Sequence, residues 1–248
     1  SGKLPELVDY NETFPLTEDG AKLLGVTPGT PVLLSNPDGA MNQTGSGGLK
    51  SGVMTVSVGT SSALRMSVAN AVLPEEPHTW CYLSPKGYLA GAAISGGCSS
   101  IEWFREKIAQ NAPYEQLECR EDVDTPVFLP FLYGERCPGE NEERSGGFYG
   151  LKPYHDRRSM YRAVQEGVLF NLRQGYEELC RICGEPQGIR LSGGILHSPE
   201  WSQMCADIFE REISIEENPQ CSLQGGVVLA MDVLGCCPAE AFEAETKG

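Results

Sequence analysis

Residues 157–183, RRSMYRAVQEGVLFNLRQGYEELCRIC, constrain this chain more than any other stretch. Met160, Val164, Gly167, Val168, Leu172, Leu179 and Cys183 recur at helical spacing, and Gly184 supplies a C-terminal stop. An apolar stripe of this length has to be buried against another layer. The neighbouring segments say what that layer is. GIRLSGG (188–194) reads as a strand entering a glycine turn, and SPEWSQMCADIFE (198–210) as a helix with Ser198 as N-cap and Pro199 in its first position. EISIEE (212–217) is a short strand and LQGGVVLAMDVLG (223–235) an apolar helix. Upstream, VMTVSVGTSSALRMSV (53–68) alternates and reads as two strands broken at Gly59-Thr60. YLAGAAISG (88–96) and TPVFLPFL (125–132) are further strands, and SSIEWFREKIAQ (99–110) is a helix capped by Ser99 or Ser100. Strands alternating with helices predict an α/β fold. The acidic tail after Pro238 is expected to fray.

One carboxylate stands out. Pro31-Val32-Leu33-Leu34 reads as a buried strand, and Asn36-Pro37 and Asp38-Gly39 are turn signals behind it. Asp38 therefore sits at a strand end beside a glycine-rich turn, which is where ligands bind in open α/β sheets. Two other turns share the pattern, Gly59-Thr60-Ser61-Ser62 and Ser192-Gly193-Gly194. Glycine lets backbone approach a ligand, and exposed amides favour anionic oxygens. Each turn alone is also consistent with a tight connection, and together they suggest a nucleotide. The GxxxxGK[ST] loop and the GxGxxG fingerprint are both absent.

Composition excludes several other classes. The charge is −15, from 34 acidic and 19 basic side chains. Nucleic acid and anionic membrane surfaces are therefore not expected partners, since both need clustered Lys and Arg. A small phosphate ligand remains compatible, because backbone amides and a metal ion can hold it. No apolar run approaches the ~20 residues that cross a bilayer, and the N-terminus lacks a signal-peptide pattern. The ten cysteines are expected to be reduced thiols of a cytoplasmic protein. Cys180-Arg181-Ile182-Cys183 has CxxC spacing, but it ends a helix and has no partner pair, so neither metal nor redox chemistry is expected there.

Several segments, taken in order, are recognisable. GVTPGTPVLLSNPDGA (25–40), VSVGTSSALR (56–65), FLYGERCPGENEERSGGFYGL (131–151), LSGGILHSPEWSQMCADIFEREI (191–213) and the helix at 223–235 resemble the C-terminal part of the FGGY carbohydrate kinases. TWCYLS (79–84) leans towards the gluconate-kinase branch of that family. The sequence departs from the usual pattern at Asn36, Pro37, Ser62, Ser159 and Gln165. It contains no DxGT stretch, the family's first phosphate hairpin.

The resemblance implies a ribonuclease-H-like, actin-like ATPase fold. Residues 1–50 would be the end of a first lobe carrying the catalytic aspartate, 51–240 the nucleotide-binding second lobe, and 241–248 a tail. The chain would then be an excised piece, a proteolytic product or a natural truncation. Its first fifty residues hold too little core to fold alone, so they would dock on the second lobe, pair with another copy, or stay partly disordered. The implied activity is ATP-dependent phosphorylation of a sugar or sugar acid, gluconate first and xylulose next. Asp38 would be the base, Gly59 and Thr60 would meet the ATP phosphates, Gly193 and Gly194 would line the nucleotide, and Ser198 would stand near the adenosine end. Mg²⁺ is implied by the chemistry, with no side chain assigned as its ligand. Glu135 and Arg136 are expected to form an ion pair, and Trp103 and Trp201 to pack on helix faces. Three alternatives remain open. Asp38 also reads as a turn residue capping the next helix, the chain as a non-catalytic nucleotide-binding or assembly module, and the fold as an ATPase without a sugar.

Overall fold

The long helix lies across a mixed seven-stranded sheet. The computed structural model describes residues 3, 6, 8–34, 36–50, 52–76, 78–118, 124–216, 218, 220–242 and 246–247. The chain opens with a small antiparallel pair, β1 (Thr13–Pro15) and β2 (Pro31–Leu33), joined through α1 (Glu18–Leu24). Then come α2 (Asp38–Gly45), β3 (Val53–Val58), β4 (Ser62–Val68), β5 (Trp80–Leu83) and β6 (Tyr88–Ile94). A helical stretch follows as α3 (Cys98–Trp103), with its last turns widened to a π-helix over Phe104–Ile108. The short α4 (Tyr114–Leu117) leads to a second antiparallel pair, β7 (Val127–Leu129) and β8 (Gly147–Tyr149). After α5 (Arg157–Cys183) come β9 (Gly188–Gly193), α6 (Pro199–Phe209), β10 (Ile213–Glu216), α7 (Cys221–Val233) and β11 (Thr246–Lys247).

The strand order is β11-β10-β9-β3-β4-β6-β5. β3, β9 and β10 run parallel, and β4, β6 and β5 extend the sheet antiparallel from β3. Successive side chains on a strand point to opposite faces. Met54, Val56, Val58, Leu64, Met66, Ala90, Ala92 and Ile94 accordingly form one buried face under α5 and α6. α5 covers it with Val164, Val168, Leu169, Leu172, Tyr176 and Leu179. Burying each such aliphatic side chain stabilises by about 1.5–3 kcal/mol. Asp156 caps α5 by accepting from the Arg158 and Ser159 amides at 2.9 and 3.0 Å.

The opposite face carries α2 and α7, which pack through Ala40, Met41, Val228 and Leu229. They cross so closely that a Cβ on Gly45 would run into the Cys221 carbonyl, and one on Gly225 into that of Met41. Gln43 locks α2 to the sheet. Its Oε1 accepts from Thr55 at 2.5 Å, and its Nε2 donates to Gly48 O at 2.8 Å.

Several expectations need correction. Val32 and Leu34 are exposed, because no described element of this chain covers β2. The helix after β6 starts at Cys98 rather than at a serine cap. Its first amides are taken by backbone: Cys98 N donates to Gly59 O at 2.7 Å and Ser99 N to Thr60 O at 3.2 Å. Glu135 does not pair with Arg136. It is buried and accepts from Arg144 Nη1 at 2.6 Å, because a bridge from Glu135 N to Asn141 O folds the loop back and brings Arg144 over it. The tail does not simply fray, since Ala239 is buried and β11 pairs with β10 at the sheet edge. The two tryptophans pack as expected: Trp201 is buried and donates its indole N–H to Gln165 O at 3.2 Å, and Trp103 stacks on Phe128. Nine cysteines are free thiols, and Cys119 lies outside the described residues. Burial pushes Cys180 and Cys183 up to about 11, which disfavours their thiolate forms near neutrality.

Candidate functional site

The parallel pairing of β3 with β9 sets Val58 opposite Gly193, so both strands end at one edge of the sheet. β6 ends there too, with Ile94 opposite Ser62 at the start of β4. The turns that leave these strands therefore meet. A Cβ on Gly97 would stand 2.5 Å from Gly59 O, and one on Gly194 would stand 2.8 Å from Cys98 Sγ. Gly193 has φ +98°, and a Cβ there would lie 2.5 Å from Val58 O, so only glycine fits. Gly59 differs. A Cβ on it would find nothing nearer than Ser61 O at 3.7 Å. The chain's own packing does not require glycine at 59, and the open space there would admit a phosphate group against the backbone.

The structure thus brings four predicted residues together: Gly59, Thr60, Gly193 and Gly194. Ser198 lies one short 3-10 turn (Gly194–His197) further on. Its hydroxyl accepts from Trp201 N at 3.2 Å as the cap of α6. It also lines a cavity of about 630 Å³ with Arg162, Gln165 and Glu200. That volume is in the range of small-molecule sites. Pro199 at the helix start signals the cap in the sequence, whereas nothing local places Arg162 and Gln165 of α5 beside it.

Asp38 stands apart from these turns. It opens α2, is exposed, and accepts from Gly39 N at 2.7 Å through Oδ1. Pro37 is the N-cap and makes no side-chain cap bond. The Asp38 carbonyl accepts from Ser222 Oγ of α7 at 3.3 Å. Arg65 of β4 and Tyr82 of β5, neither singled out by sequence, crowd the backbone beside it. A Cβ on Gly39 would lie 3.0 Å from Arg65 Nε and 3.2 Å from the Tyr82 hydroxyl. Burial raises the Tyr82 pKa above its usual value; Arg65 opposes that shift and Asp38 adds to it. β4 links the two halves of the site, since Ser62 of the glycine turn and Arg65 are separated by about 10 Å of strand.

Strand ends here converge on glycine turns, and a carboxylate opens a neighbouring helix, in an α/β fold of the actin-like ATPase class. Residues 54–232 match the FGGY family of carbohydrate kinases, C-terminal domain, and the chain belongs to that family. It is 31% identical to a gluconokinase of Bacillus licheniformis, over 87% of this chain and 45% of that protein. With a xylulose kinase of Escherichia coli K12 it shares 30% identity, over 85% of this chain and 45% of the other. Ligand-bound xylulose kinase from Lactobacillus acidophilus superposes with a TM-score of 0.90 at 28% identity, covering 99% of this chain and 52% of that one. Gluconate kinase from the same species superposes at 0.85, also with 28% identity, 99% and 52%. The chain spans about half the length of the relatives it matches. No described helix is long and apolar enough to cross a membrane.

Proposed function

We propose that this chain is the nucleotide-binding part of an ATP-dependent kinase that phosphorylates a hydroxyl of a sugar or sugar acid, gluconate before xylulose. The observation that carries the reading is the meeting of the Gly59, Gly97 and Gly193 turns at one sheet edge, with open space at Gly59. Relatives named gluconokinase, at 31% and 30% identity, support gluconate as the acceptor, with xylulose kinases at 30% beside them. Residues 51–240 would form the nucleotide-binding lobe and 1–50 the last part of the sugar-binding lobe, with 241–248 as its tail.

Each residue then has a task. Asp38 takes the proton of the attacking hydroxyl as its oxygen bonds to the terminal phosphorus and ADP leaves. Gly59 and Thr60 bring backbone against the phosphates, Gly193 and Gly194 line the nucleotide, and Ser198 marks the cavity that would receive the adenosine end. Among the described residues no group of His, Cys, Asp and Glu is arranged to hold a metal ion. Mg²⁺, implied by the chemistry of the transfer, would arrive on the ATP phosphates and would neutralise charge on the transferring group.

Calorimetric titration with Mg-ADP tests the nucleotide site. Gly59→Val should keep the melting temperature and abolish binding, and retained binding would remove Gly59 from the phosphate site. ATP turnover by the complete polypeptide, with and without gluconate, tests the reaction. Sugar-independent hydrolysis would replace the kinase reading with an ATPase, and nucleotide binding without any turnover would leave a binding module.

A further inference from the structure

Arg65 is an unexpected residue for its position. β4 is an interior strand, paired on both sides, and register sets Thr55, Arg65, Gly91 and Trp80 in one row across β3, β4, β6 and β5. That row faces α2 and α7. A guanidinium held against a sheet is costly unless an anion or acceptor meets it. Arg65 forms no ion pair with any described residue, Asp38 included; its guanidinium meets the Tyr82 hydroxyl, a neutral acceptor, while its buried Nε has no hydrogen-bond partner among them. It also lies against the first turn of α2, the positive end of a helix, where a cation is disfavoured and where Asp38, the acidic residue of that turn, makes no ion pair with it.

The surroundings describe the anion's carrier. The Tyr82 hydroxyl converges with Arg65 on Gly39, the residue after Asp38. Trp80 and Tyr82 stack at 4.5 Å between ring centroids with 14° between planes. Trp80 lies over Gly91, where a Cβ would collide with the indole. Both rings are partly exposed, giving an apolar wall beside a cation and a hydroxyl.

We propose that Arg65 receives the carboxylate of a sugar-acid substrate, with Tyr82 beside it and the Trp80–Tyr82 pair against the carbon chain, and that this guanidinium selects an acid over a neutral sugar. The inference rests on the kinase reading above. A carboxylate would satisfy the guanidinium through paired charge-assisted hydrogen bonds.

The test uses the complete polypeptide and compares D-gluconate with D-glucitol, its neutral counterpart bearing a hydroxymethyl in place of the carboxylate. Arg65→Met should lower the gluconate-to-glucitol ratio of kcat/KM by about 10²-fold, mostly through KM for gluconate. Arg65→Lys keeps the charge without the planar fork and should hold an intermediate ratio. Tyr82→Phe should lower the ratio by about tenfold, the worth of one charge-assisted hydrogen bond, and it reads the same site should the Met variant not fold. Retained Mg-ADP binding identifies a folded variant. An unchanged ratio in folded variants overturns the inference, as does an equal loss on both substrates through kcat, which would assign Arg65 to Asp38 or to the phosphates. Wild-type polypeptide that phosphorylates neither compound defeats the kinase reading itself, a result distinct from either of these.

Discussion

The sheet under α5 and the β1–α1–β2 segment are built from similar side chains and reach opposite ends. Val164, Val168 and Leu172 of α5 are fully buried against Val56, Leu64 and Ala92. Leu23 and Leu24 of α1 are 86% and 66% exposed, and Phe14, Val26, Val32 and Leu34 also face solvent. Propensity forms both regions, and coverage separates them. The seam between them is the α2–α7 crossing, helped by Tyr10, which donates to Asp232 at 3.2 Å. The lesson is that an apolar pattern announces a surface that wants a neighbour, without saying whether this chain contains it.

The comparison can be tested by substitution, beginning with the largest effect. In the complete polypeptide, Asp38→Asn at the seam should lower kcat by roughly 10²–10⁴ and leave Mg-ADP affinity alone; steady-state kinetics beside calorimetry decides, and unchanged turnover removes Asp38 from the base role. Gly45→Val should destabilise this chain by more than about 4 kcal/mol, since no rotamer relieves contact with a backbone carbonyl. Limited proteolysis should then release the segment before β3 while the sheet persists. Leu172→Ala should cost about 2–5 kcal/mol in urea denaturation, against less than about 0.5 kcal/mol for Leu23→Ala. Equal losses would mean that the α1 leucine is covered in solution. The smallest effect concerns pH. The Ser159 and Arg158 amides hold the Asp156 carboxyl below its usual value. Its contribution is therefore present above the unfolded value of about 4 and fades as pH falls through the lower folded value. Asp156→Ala should cost about 1 kcal/mol at pH 7 and progressively less as the medium is acidified below pH 4, read from urea midpoints.

Much of the covered region was legible. The ends of α5, the break of β3 and β4 at Gly59-Thr60, and the Ser198 cap all stand where spacing and turn chemistry put them. These are local features, set by residues a few positions apart. Features settled by distant residues were not legible. The helix after β6 takes its cap from the Gly59 and Thr60 carbonyls, so the adjacent serines misled. Glu135 found Arg144 rather than its neighbour, because adjacent side chains point apart and a folded loop supplied another cation. Arg65 and Tyr82 gave no signal as single letters, and only register across the sheet sets both against Gly39.

By itself, the sequence determined that strands and helices alternate, that the strands end in glycine turns, and that the chain resembles a carbohydrate kinase. Periodicity, caps and turns act over a few residues and are written in order along the chain. Tertiary structure decided which turns meet, which apolar faces stay bare, and which cation stands against Gly39. Those outcomes depend on strand pairing and on how closely helices cross, which join residues far apart in the chain.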